Sequence, residues 1–296
     1  MEKSYQMLLM VGCVIVLLLG TLIFLGSAST RVERVSAHPL ELSSDQIASV
    51  PLNATADDVP TYYVYLPLAL NAYPEPTACN PIPGQMYAAI SVVPEGSQPP
   101  SPSAEEDPGF NVNLFEFRPV QESKQLFVVD EEAWTAPQLA YVYENPHIPT
   151  IKDVYHLYYW DGIKAPDQPA VSALGIPTVS GQVIHVPQRF GAGTDIDNAG
   201  YKVLVLYASQ ESIALKYTRE DGLAGGYTVY IDGICVEPDL QTLYNETDEA
   251  GRNNLPALFG QQPLGRAWGD EIRLVVRDRG ALMDPRWRDD WWCYPR

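Results

Sequence analysis

Four histidines, His38, His147, His156 and His185, are the side chains best suited to metal or proton chemistry, and their spacing is the first thing to weigh. A zinc-binding pair needs an HxH or HExxH arrangement, so that two imidazoles share one face of a strand or helix. These four are scattered instead, and His156 alternates with Tyr155 and Leu157 as packing residues of a strand do. The sequence has no GxSxG, no P-loop and no GxGxxG after a strand, so nucleophilic and nucleotide chemistry are not signalled. Asp195 and Asp197 are two residues apart and would point to one side of an extended segment, which makes them weak metal candidates. A hard cation takes roughly six or more oxygens around one point, and no twelve-residue calcium loop is present, so turn carboxylates are the plainer reading. At the C-terminal end Trp287, Trp291 and Trp292 form an aromatic cluster flanked by Arg286, Arg288, Asp289 and Asp290. Exposed, such rings stack on sugars; buried, they close a core, and packing is the favoured reading. No catalytic residue, metal or cofactor is assigned on this basis.

The elements that must position these residues read as strands. Residues 86–93, 114–117, 125–129, 139–143, 154–160 and 183–186 are short runs rich in aromatic and branched side chains, bounded by Pro, Gly or Asp. Residues 94–109, turn-rich and acidic, read as a loop. Residues 201–208, 212–217 and 227–231 follow in quick succession, with Gly225-Gly226 at a hairpin position, and residues 271–277 make a last strand that Gly280 ends. Residues 238–253 read as one helix, with Pro238 in its first turn, Leu240, Leu243 and Tyr244 on one face, and Pro256 beyond its end. The fold class expected is therefore mainly β, roll-like or sandwich-like, with one prominent helix.

Ahead of this region, residues 7–25 (MLLMVGCVIVLLLGTLIFL) carry no charge, and as a helix they would be about 28 Å long, enough to cross a bilayer's hydrocarbon core. Residues 1–28 thus read as a signal anchor, or as a signal peptide cleaved near Ala28 or Ser29. Residues 29–78 read as an extracytoplasmic linker, 79–187 as a β-rich region and 188–296 as a C-terminal β domain. With Cys13 in the apolar run, Cys79, Cys235 and Cys293 remain, so one disulfide at most forms within the chain; Cys235–Cys293 and Cys79–Cys293 are both open. A formal charge of −18 repels phosphate and argues against nucleic-acid binding. The partners expected are the membrane, through the N-terminal helix, and a cell-wall glycan, peptide or other envelope protein.

The order of motifs after Gly193 resembles the lysostaphin-type zinc endopeptidases. Those motifs are Gly193-Thr194-Asp195, residues 205–208, Gly226-Tyr227-Thr228-Val229-Tyr230-Ile231, Leu243-Tyr244, Gly260-Gln261-Gln262-Pro263-Leu264-Gly265, Glu271-Ile272-Arg273 and Asp284-Pro285. The resemblance covers about a third of the chain. It implies that Asp195 stands for the family's metal-binding aspartate, whereas Glu271 and Arg273 fall where its HxH pair belongs. Arginine stays protonated and has no lone pair for zinc. The resemblance therefore implies a degenerate peptidase-like domain that binds without cutting. The chain is also similar to uncharacterised secreted or membrane-anchored bacterial proteins, through residues 63–68 (YVYLPL) and 277–286 (RDRGALMDPR). The function expected is a non-catalytic envelope binding or structural protein outside the cytoplasm. A hydrolase acting on cell-wall or polysaccharide substrates and a carbohydrate-binding module are the alternatives.

Overall fold

Short runs of branched and aromatic residues recur along the chain after Cys79, and they pair into antiparallel sheets. The structure, a computed structural model, describes residues 79–93, 104–129 and 135–293. The N-terminal helix expected at residues 7–25 lies outside them, as do the linker up to residue 78 and much of the loop expected at 94–109.

Among the described residues there are thirteen strands: β1 (Ala88–Ser91), β2 (Phe115–Pro119), β3 (Asp153–Tyr159), β4 (Ala173–Pro177), β5 (Val183–His185), β6 (Val203–Ala208), β7 (Ser212–Lys216), β8 (Tyr227–Asp232), β9 (Ile234–Val236), β10 (Asn254–Leu258), β11 (Pro263–Ala267), β12 (Glu271–Asp278) and β13 (Ala281–Met283). One main helix, α1 (Pro238–Glu249), and a single turn, α2 (Arg288–Trp291), complete the elements used below. Ten strands form one sheet in the order β1-β10-β6-β7-β8-β12-β4-β3-β2, with β13 paired to β12; β5, β11 and β9 form a second. Strands from residues 79–187 and from 188–296 share both sheets, as β4 beside β12 and β5 beside β11 show.

The two sheets meet where the chain passes between them. β8 continues into β9 after Gly233, and β11 into β12 after residues 268–270. Gly233 has φ +81, which strains any other residue, and an added Cβ there would lie a tight 3.1 Å from the Glu271 carbonyl. Leu174, Ile176, Leu215, Val229, Ile231, Ile272, Leu274 and Val276 are all 0 % exposed and form the centre of one apolar core. Near-continuous apolar strands are what a sheet covered on both faces requires.

Three expected elements differ. Residues 139–142 form a buried 3-10 turn, with Leu139, Ala140 and Val142 at 0 % exposure, rather than a strand. Residues 125–129 contribute only an isolated bridge between Phe127 and Trp287. The helix stops at Glu249, because Gly251 and Arg252 take left-handed φ values of +92 and +60. Their amides cap the carbonyls of Asp248 and Thr247, a left-handed helix ending.

Candidate functional site

β12 carries both residues that the zinc-peptidase pattern singles out, and its alternation puts Glu271 and Arg273 on one face while Ile272 and Leu274 fill the core on the other. Arg273 stands opposite Asp232 on β8 and Gly175 on β4. Its Nη2 lies 2.5 Å from Asp232 Oδ2, and its guanidinium carbon sits 4.2 Å from the centre of the Phe117 ring. Asp232 is buried, and burial pushes its carboxyl above the usual carboxylate range despite the opposing pull of Arg273. Next to it, the Tyr155 hydroxyl donates to Glu271 Oε1 at 2.7 Å. Burial, then the hydrogen bond to Glu271, raises the Tyr155 phenol well above its ordinary value. Gly175 makes this arrangement possible, since a Cβ there would sit 2.6 Å from the Glu271 carboxylate. Both charged residues are thus taken up by partners inside the sheet.

Asp195 and Asp197 lie in the loop before β6, which β7 and β8 separate from β12. Asp195 pairs with Lys202, whose ammonium also donates to Thr194 Oγ1 at 2.9 Å. Asp197 accepts from the amides of Ala199 at 3.1 Å and Tyr201 at 3.0 Å, which is the work of an Asx turn. Among the described residues no group of three His, Cys, Asp or Glu side chains is arranged to hold a metal.

The tryptophans sit inward. Trp291 and Trp292 are each 1 % exposed, and their indole N–H groups donate to the carbonyls of Asp284 at 3.0 Å and Pro285 at 2.8 Å. Trp291 meets Tyr227 edge to face, and Trp287 packs partly buried against the core. Their rings therefore offer no flat platform for a sugar at Trp291 or Trp292.

A Cys79–Cys235 disulfide joins the start of the described chain to β9. That pairing is neither of the two left open from the sequence. Cys293 stays outside the bridge, and its thiol donates to the Asp289 carbonyl at 2.8 Å.

Two features escape the sequence patterns. Arg252, 4 % exposed, grips Asp221 with Nε–Oδ2 at 2.9 Å and Nη2–Oδ1 at 2.7 Å, and also reaches Asp248, the Tyr244 hydroxyl and the Leu206 carbonyl. A cleft of about 360 Å³ is lined by Tyr143, Glu144, Asn145, His147, Gln182 and Val183, with the His147 ring stacked on Tyr143 at 4.4 Å. His185, on the same side of β5 as Val183, is buried, which pushes its imidazole below its ordinary value. In neither feature does spacing reveal the main contact, since Arg252 meets Asp221 across 31 residues and the cleft joins residues 143–147 to Gln182 and Val183.

The fold and these contacts define a mainly antiparallel β protein whose candidate charged groups Asp195, Asp197, Glu271 and Arg273 are engaged by other groups of the chain. No protein-family model, curated protein or solved structure matches the chain.

Proposed function

We propose that the chain is a non-catalytic binding or structural protein of a bacterial-type cell envelope, working outside the cytoplasm. In this reading a roll-like or sandwich-like β shell, akin to a degenerate lysostaphin-type domain, is held at the membrane by the apolar segment at residues 7–25. The observation that carries it is the closure of the candidate chemistry. Arg273 is spent on Asp232, Glu271 accepts from Tyr155, Asp195 pairs with Lys202 and Asp197 caps a turn. A hydrolytic centre needs such groups aimed at a substrate, with a base or metal-bound water beside them. The compartment rests on two features: the uncharged N-terminal run and the Cys79–Cys235 bridge, since structural disulfides persist in oxidising environments.

The full chain, purified in detergent, tests this reading when it is incubated with isolated peptidoglycan. The expected result is co-sedimentation with no release of cross-bridge fragments. Stoichiometric zinc together with cross-link cleavage would overturn it.

A further inference from the structure

The strap from Cys79 to Tyr87 leads directly into β1, an edge strand of the large sheet, and side chains hold it to the body. Arg266 Nε donates to the Asn80 carbonyl at 3.2 Å, Gln262 Nε2 to the Met86 carbonyl at 3.0 Å, and the Tyr87 hydroxyl to the Pro263 carbonyl at 3.0 Å. Arg266 stands opposite Cys235 in the β11–β9 ladder, so the strap crosses the small sheet at the point where the bridge fastens it.

β1 itself buries little apolar surface. Its four residues expose Ala88 and Ser91 and only half-bury Ala89 and Ile90, and it pairs with β10 alone. At its far end Val92 N donates to Asn253 O at 3.0 Å and Arg219 Nε to Ser91 O at 2.6 Å. β10 beneath is the opposite case: Leu255 and Leu258 are 0 % exposed and Ala257 1 %. A short strand that buries little apolar surface contributes little to its own retention, and a buried apolar strand whose edge is uncovered can pair with another chain.

We propose that the Cys79–Cys235 bridge is a redox-released lock on β1. With the bridge closed, the strap cannot leave the small sheet, so β1 reassembles on β10 after every local opening. A dithiol opens the lock. Its thiolate attacks Cys79 sulfur, the less buried of the two half-cystines, and forms a mixed disulfide while the Cys235 thiolate leaves. The dithiol's second thiol then displaces Cys79, so two electrons and two protons pass to the protein and the reductant closes to its own disulfide. β1 and the strap then open together as a low-stability unit and uncover the outer edge of β10, while the sheets beneath remain folded.

Hydrogen exchange of the full chain, with and without dithiothreitol, tests the lock. The expected result is exchange about tenfold or more faster at the amides of Ala88, Ile90 and Val92 and at those of β10 that face them, Leu255 and Ala257, on reduction, with β7 and β8 unchanged. Cys79→Ser reproduces the effect without reductant, and Cys293→Ala leaves the oxidised pattern as it is. Equal protection of β1 in the oxidised, reduced and Cys79→Ser proteins would overturn the proposal. Loss of protection in β7 and β8 together with β1 would overturn it as well, since the bridge would then be a staple of the whole fold.

Discussion

Two charged centres lie in the large sheet and its connections, and they differ in how completely they are closed. Around Arg252 both partners are deeply buried, with 4 % and 3 % of the Arg252 and Asp221 side chains exposed, and the guanidinium is bound on all three nitrogens. Around Arg273 the guanidinium side chain is 34 % exposed over Phe117, and only the Asp232 side chain, at 8 %, is deeply buried. The first centre ties the end of α1 to the turn before β8 and to β6. The second lies across β8, β12 and β3 and keeps one side in solvent. Motif spacing alone points to the second, because Glu271 and Arg273 are two apart. The more strongly built of the two shows only the four-residue spacing of Asp248 and Arg252, while its bidentate partner Asp221 lies 31 residues away.

If that contrast is right, Arg252→Met has the larger effect. It leaves Asp221 buried without its bidentate partner, and removing one member of a buried pair costs about 3–5 kcal/mol. Urea unfolding of the full chain reads this directly; a loss under about 1 kcal/mol would make the two centres equivalent. Arg273→Met is expected to cost only about 1 kcal/mol, because a third of the side chain is already in water and solvent screens the pair.

Gly175→Ala probes the partly exposed centre from the other side. The new Cβ falls 2.6 Å from the Glu271 carboxylate, whose flexible tip can swing away at the cost of the Tyr155 hydrogen bond. A loss of about 0.5–1.5 kcal/mol follows, and it should shrink when Tyr155 is already Phe, since the bond is then absent.

The smallest effect is a slope with pH. Asp232 holds its proton to higher pH in the folded protein than in the unfolded chain, where it titrates near the ordinary carboxylate value. Above that ordinary value the folded state binds more protons than the unfolded one. Stability from this group is therefore full at low pH and is lost as pH rises through the raised folded value. Asp232→Asn should flatten that part of the stability profile, and Arg273→Met should extend the slope upward by removing the opposing charge. An unchanged profile in Asp232→Asn would place the titration elsewhere.

β3, β6, β7, β8 and β12 were legible because their branched and aromatic runs are unbroken. β4 (ALGIP), β10 (NLPAL) and β11 (PLGRA) were not, since each carries Gly or Pro, which ordinarily interrupt strands. The structure gives reasons for two of these. Gly175 makes room for a carboxylate, and a Cβ at Gly265 would sit 2.4 Å from the Cys235 carbonyl, so β11 and β9 approach too closely for any side chain. Pro256 reads as a stop beyond the helix, yet it pairs with Ala89 at the sheet's edge. The apolar run at residues 139–142 carries the composition of a strand but lies as a 3-10 turn after Pro137, where its burial, not its backbone, explains its residues. Of the partly exposed centre, Glu271 and Arg273 could be named from the sequence. Their partners could not, because Tyr155 is 116 residues from Glu271 and only the sheet order brings β3 within reach of β12.

The account depends on Arg273 being engaged by Asp232 rather than held for a ligand, and a double-mutant cycle on that pair measures it. Unfolding free energies of Arg273→Met, Asp232→Asn and the double variant should give a coupling of about 1 kcal/mol. A coupling within about 0.3 kcal/mol of zero would show that the guanidinium is not spent on its neighbour, and would contradict the closed, non-catalytic reading of the site.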